Sequence, residues 1–151
     1  MEAREIATEI EIGAPVAHVW AVLVDTPRYP QWNPFIVELR GELKPAQVIR
    51  FKFRIPPAPR LPGRATVLQV APAAELRWAG RLLWPWLFRA EHYHLLAPLD
   101  GGRTHFVHGE IFSGVLAVLS WPLLRILAQP VYRRFNKALR QRVEQLHPAP
   151  P

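Results

Sequence analysis

The sequence predicts an α+β fold in which a curved antiparallel sheet of six to seven strands wraps on a long C-terminal helix. Three observations carry that expectation: a period-two N-terminal segment, about six successive alternating segments between Phe35 and Phe112, and an apolar stripe at helical spacing from Val131 to Leu146. A chain of 151 residues has room for one domain, taken as 1–146, and the tail 147–151 is expected to be disordered. At this size about two-thirds of the unfolded surface can be buried, so no disulfide or metal is needed to hold the fold.

Ile6, Thr8, Ile10 and Ile12 alternate with Glu5, Ala7, Glu9 and Glu11, as in a half-buried strand. Ala14-Pro15 opens a helix whose apolar face is Val16, Val19, Trp20 and Leu23, with proline where its missing N–H costs nothing. The prolines of Asp25 to Pro34 limit that segment to one helical turn or a bend, which Asn33 closes. Strands are then expected at 35–43, 48–55, 64–70, 75–82, 88–97 and 104–112, with a stiff proline loop at 56–63. Asp100-Gly101-Gly102 reads as the turn of a hairpin. Pro130 marks a kink or restart in the last helix, after which Val131, Phe135, Leu139, Val143 and Leu146 share one face.

An antiparallel sheet of this width has one apolar face to cover, and a single helix about 10–12 Å across is too narrow to cover it. The sheet must curl, or a space must remain. Phe51, Phe53, Trp78 and Phe106 are placed to line such a space, with Phe135 facing them from the helix. Six tryptophans are more than a core of this size requires, which favours a pocket for a small hydrophobic molecule.

Four stretches carry a family resemblance: Ile12-Gly13-Ala14-Pro15-Val16-Ala17-His18-Val19-Trp20, Tyr29-Pro30-Gln31-Trp32-Asn33-Pro34, Leu76-Arg77-Trp78-Ala79-Gly80 and Gly109-Glu110-Ile111-Phe112-Ser113-Gly114. In this order, over nearly the whole chain, they resemble the START-like helix-grip superfamily, and within it the bacterial SRPBCC branch of polyketide cyclases, dehydrases and lipid-transport proteins. The resemblance is specific for the fold. For activity it implies only a cavity protein, because the superfamily includes lipid carriers, cyclases, quinone-binding proteins and hormone receptors. Trp32 and Trp78 look like its recurring aromatics.

The most polar group at inward positions is His92, His94, His108 and Glu110. On each strand an i, i+2 pair shares a face. A three-residue loop with a glycine bulge sets His94 opposite His108 and His92 opposite Glu110, whereas a two-residue turn sets Tyr93 opposite His108. The first is favoured because it gathers Phe88, Ala90, Leu96 and Phe106 on one apolar face. Glu110 and His108 are then candidates for acid–base catalysis on a carbonyl substrate, and His92 and His94 for ligand contact alongside Trp32, Phe51, Phe53, Trp78, Phe106 and Phe135. A buried hydrogen-bonded cluster that only fixes the hairpin explains the same residues. His-x-His with Glu also suits zinc or iron; the family resemblance argues against it, and no metal and no cofactor are expected.

The formal charge of +7 comes from arginine spread along the chain, with lysine only at Lys44, Lys52 and Lys137, and is read as a solvated surface with no nucleic-acid partner. Arg50, Lys52 and Arg54 lack a basic–aromatic platform. No cysteine is present, which fits a reducing, cytoplasmic setting. Residues 1–12 contain no apolar core of a secretory signal, and the run Val115 to Leu124 is shorter than the roughly 20 residues of a bilayer span, so a soluble protein is expected. Neither Ser113 nor Ser120 sits in a nucleophile elbow, and no glycine-rich phosphate cradle occurs. Leu82-Leu83-Trp84-Pro85-Trp86-Leu87-Phe88 is too apolar for an ordinary hairpin connection and reads either as a loop tucked against the last helix, or as a rim or lid at the cavity mouth or a patch in transient contact with a membrane. Three functions stay open: a carrier or sensor of a lipid, polyketide or quinone, a cyclase or dehydratase in the same cavity, and a membrane- or macromolecule-contacting module. The sequence does not specify an oligomeric state.

Overall fold

One antiparallel sheet contains all seven strands: β1 (Arg4–Ile12), β2 (Ile36–Arg40), β3 (Val48–Phe53), β4 (Leu61–Ala71), β5 (Glu75–Arg81), β6 (Arg89–Leu99) and β7 (Arg103–Ser113). The computed structural model describes residues 2–148 and 150–151. The strand order is β1-β7-β6-β5-β4-β3-β2, a meander from β2 to β7 with the first strand closing on the last. Helix α1 (Val16–Val24), a 3₁₀ turn (Thr26–Arg28) and the single turn α2 (Tyr29–Trp32) lead from β1 across to β2. Helix α3 (Val115–Leu146) returns along the concave face and packs on β1, β7 and α1. The result is the curled half-barrel on a long helix that the period-two and helical patterns predict.

Several boundaries differ from the sequence expectation for local reasons. Strand β2 ends at Arg40, because Gly41 already turns the chain toward β3. Strand β4 begins at Leu61, inside the expected proline loop. Pro62 is tolerated because residues 61–64 pair only with β3, leaving their other side as an edge where a missing N–H breaks no ladder. Helix α3 runs unbroken through Pro122 and Pro130. Both prolines lie on its exposed side, where the carbonyl each leaves free can reach water. This continuity makes α3 long and apolar enough by length and composition to cross a membrane, and its apolar window is only 22% buried. The helix ends at Leu146, and the His147 ring stacks on His18 at 3.8 Å, while Ala149 of the expected tail lies outside the described residues.

Ile12, Leu23, Ile49, Leu76, Phe106 and Leu139 are fully buried and mark the core between the concave face and the C-terminal half of α3. The bend before β2 is fastened from both sides. The Tyr29 hydroxyl donates to the Leu23 carbonyl at 2.6 Å, and Asn33 Oδ1 accepts the N–H groups of Phe35 and Ile36 at 3.0 and 2.9 Å. The β6–β7 hairpin closes through a three-residue loop in which Gly101 and Gly102 hold φ of 76° and 69°, a conformation that disfavours any side chain.

Candidate functional site

The hairpin register places His92 opposite Glu110 and His94 opposite His108, the arrangement expected from a three-residue loop. These four side chains form a two-by-two block on the concave face, and Trp78 extends it from β5, stacked on His92 at 5.1 Å. From α3, Tyr132, Phe135 and Asn136 close over the block; all three are buried. His92, His94 and His108 are 3%, 1% and 0% exposed, which is unusual for three polar rings in contact.

A chain of hydrogen bonds fixes the protons. The Thr8 hydroxyl donates to the His108 carbonyl at 3.1 Å, so its oxygen is free to accept the amide of Asn136 at 2.9 Å. Asn136 therefore turns its Oδ1 to His108, and His108 Nδ1–H donates to it at 3.1 Å. His108 Nε2 is left with a lone pair and accepts from His92 Nε2–H at 2.8 Å. His92 Nδ1 then faces Glu110 Oε2 at 3.7 Å, and the Tyr132 hydroxyl donates to the same carboxylate oxygen. His94 stands outside this relay. Among the described residues neither of its ring nitrogens has a hydrogen-bond partner, although the Leu76 carbonyl approaches the ring out of hydrogen-bonding geometry.

Burial dominates the electrostatics. It pushes the pKa of His94 and His108 well below the ordinary value, reinforced by the neighbouring His92. Burial likewise holds the Tyr132 phenol well above its ordinary value, and the Glu110 carboxylate adds to the shift. Burial thus keeps the His94 and His108 rings and the Tyr132 phenol neutral, with Glu110 beside them. The block can orient a carbonyl or hydroxyl of a bound molecule or offer three ring nitrogens to an ion.

The predicted aromatic lining divides into separate groups. His94 meets Trp78, Phe106 and Phe135, with His94–Phe106 centroids at 5.8 Å, and Phe106 meets Phe135 at 6.3 Å. Where a space was expected between these residues, side chains of α3 fill it. Phe51 and Phe53 are half-buried near the far edge of the sheet, and Phe35 links Phe53 to His92 at 6.4 and 5.7 Å. Trp32 packs on Phe135 at 5.5 Å and borders a hollow of about 140 Å³ with Val22, Asp25 and Arg142. A larger cleft of about 340 Å³ opens between β1 and α3, lined by Ala7, Thr8, Glu9, Ile10, Arg133 and Asn136.

Sequence reasoning missed Thr8, Tyr132 and Asn136. Each had a signal. Thr8 is the one hydroxyl in the inward series Ile6, Thr8, Ile10, Ile12, and Tyr132 and Asn136 stand four apart beside Val131 and Phe135 in the apolar stripe.

Outside the block, the connection 82–88 docks on the start of α3 through Val115 N–H to Trp86 C=O at 3.1 Å and Leu116 N–H to Leu87 C=O at 3.0 Å. It nevertheless leaves Leu83, Trp84 and Trp86 exposed at 67%, 55% and 61%, beside Leu119, Leu123 and Ile126 at 73%, 59% and 69%. Loop and helix start are therefore tucked together and yet leave these apolar side chains exposed.

Comparison with solved structures gives the fold independently. An aromatase/cyclase from Streptomyces sp. R1128 superposes with a TM-score of 0.77 at 17% identity, covering 95% of both chains. A START superfamily protein from Mycobacterium smegmatis gives 0.75 at 22% identity, covering 94% of this chain and 98% of that one. A norcoclaurine synthase from Thalictrum, solved with a transition-state analogue, gives 0.73 at 11% identity over 96% of each chain. A search of curated proteins finds no match. The polyketide cyclase/dehydrase and lipid transport family matches residues 3–144, nearly the whole chain, and its fold is that of typically soluble, ligand-binding domains. With the helix-grip architecture, that match makes this chain a member of the polyketide cyclase/dehydrase and lipid transport family.

Proposed function

We propose that the protein is a cytoplasmic carrier of a small apolar molecule that loads and unloads at an anionic lipid surface. The observation that carries this reading is the exposure of Trp84 and Trp86 of the loop together with Leu119, Leu123 and Ile126 of α3. Tryptophan pairs of this kind sit well at a membrane interface, and the two indoles stack in parallel with centroids 5.9 Å apart. Arg81 and Arg125 lie exposed beside these segments, and the chain's net charge of +7 adds attraction to anionic headgroups. Docking of these side chains on lipid supplies a reason for the exposed half of α3 to shift and admit a ligand between helix and sheet.

The test is cosedimentation with phosphatidylcholine vesicles with and without about one-third phosphatidylglycerol. Binding is expected to the anionic vesicles only, to fall as salt rises, and to drop at least about tenfold in a Leu119→Asp/Ile126→Asp variant of unchanged Tm. Transfer of a fluorescent fatty acid between vesicles is expected to slow in parallel. Equal binding by the variant, or none by the wild type, overturns the reading.

The contact of Glu110 with Tyr132 and His92 favours a second reading, acid–base catalysis of a cyclase or dehydratase type. His108 has both ring nitrogens committed, so His92 rather than His108 is the partner of Glu110 in that scheme. Turnover of an aromatic polyketone that vanishes in Glu110→Gln supports this reading; turnover retained removes Glu110 from it.

A further inference from the structure

We propose that His92, His94 and His108 bind a divalent transition-metal ion of the zinc class, with Glu110 and Asn136 supporting the ligands from outside. This inference does not depend on the lipid-surface reading. The three rings can each bring a nitrogen within 4.8 Å of the other two. An ion bonded to nitrogens at about 2.0–2.1 Å in tetrahedral geometry sets them about 3.4 Å apart. The His92–His108 nitrogens, now at 2.8 Å, need to open by about 0.6 Å, and the widest separation needs to close by about 1.4 Å. Small rotations about the side-chain torsions supply both.

The hydrogen-bond relay has already chosen the ligand atoms. Thr8 orients Asn136, and Asn136 holds the proton of His108 on Nδ1, so that Nε2 points its lone pair into the cluster. Holding a histidine's outer nitrogen in this way is how metal sites fix the ligating tautomer. His92 completes the pattern by moving one proton from Nε2 to Nδ1. Nε2 is then free for the ion, and the 3.7 Å contact with Glu110 closes into a carboxylate–histidine hydrogen bond. No net proton is gained or lost.

His94 supplies the independent observation. It is buried among Trp78, Phe106 and Phe135 with neither nitrogen paired, and an unpaired buried polar group of this kind is costly. An ion gives one of its nitrogens the partner it lacks. The cleft between β1 and α3 is lined by Thr8 and Asn136, the residues that hold His108 from outside. Three imidazoles suit zinc, cobalt, nickel or copper, and the fourth position falls to water or to a donor atom of a bound molecule.

The experiment is titration of EDTA-treated full-length protein with cobalt(II) and zinc chlorides, followed by cobalt absorption, calorimetry and Tm. Saturation at one equivalent is expected, with a rise in Tm of several degrees. Affinity is expected to fall at least about 100-fold in His94→Leu and about 10- to 100-fold in Asn136→Leu, and to stay unchanged in His105→Gln on the surface. Absence of one-equivalent saturation, or affinity retained by His94→Leu, overturns the site. If His94→Leu does not fold, histidine ¹⁵N spectra of the wild type decide. Zinc-dependent shifts of ring nitrogens in both His94 and His108 support the proposal, and unshifted resonances refute it.

Discussion

Acid should unfold this protein earlier than its carboxylates alone require. His94 and His108 have pKa values pushed well below 6.5 by burial, so the unfolded chain takes up protons that the folded chain refuses. The sign follows from linkage: stability is intact above the unfolded value near 6.5 and is lost as pH falls from there toward the depressed folded values. Each such proton costs about 1.4 kcal/mol per pH unit only once the unfolded histidine is fully protonated, so between about pH 7.5 and 5.5, a window centred on 6.5, the two histidines together cost about 2.7 kcal/mol in total. That is a large share of the roughly 5–15 kcal/mol by which domains of this kind are stable. The assay is urea unfolding by tryptophan fluorescence in EDTA, from about pH 7.5 to about 5.5, above the range where carboxylates titrate. In His94→Leu the loss over this range should halve to about 1.4 kcal/mol, because one of the two proton acceptors is gone. A midpoint that stays flat over this range, or a variant that falls as steeply as the wild type, refutes the reasoning.

Other perturbations test the packing that holds the block. Phe135→Ala removes the ring that touches Trp32, His94, Phe106 and His108 and should cost about 3–5 kcal/mol in the same unfolding assay. Gly109→Ala sets a methyl 2.3 Å from the Tyr93 ring, which must give up its 2.5 Å bond to Glu5 to move; a loss of about 1–3 kcal/mol is expected by thermal unfolding. Asn33→Ala strips two backbone N–H groups of their acceptor and should cost about 1–2 kcal/mol, with faster amide exchange at Phe35 and Ile36.

The sheet and its register were legible because their determinants are local. Period-two alternation set the faces, and one loop, Asp100-Gly101-Gly102, set His94 against His108. Helix continuity through Pro122 and Pro130 was not legible, because it depends on which side of α3 meets water. The extent of filling between sheet and helix was also hidden. Tyr132 and Asn136 each stand one residue past Val131 and Phe135 of the apolar stripe, and only the tertiary approach of α3 to β7 shows that they complete a polar cluster. The division of the aromatic lining follows the same logic: Phe51 and Phe53 share a strand face with nothing in sequence to say how far α3 reaches.

The pairing of β1 with β7, fastened by Asn136 to Thr8 across 128 residues of chain, has a consequence for synthesis on the ribosome. Of the seven strands in this sheet, β1 is made first and finds its partner last. While the β2–β6 meander can assemble in order of emergence, the isoleucines of β1 stay uncovered until β7 and then α3 have been released. Closure of the sheet therefore waits on synthesis of β7 and α3, and β1 is the segment that a chaperone holding extended apolar stretches would engage.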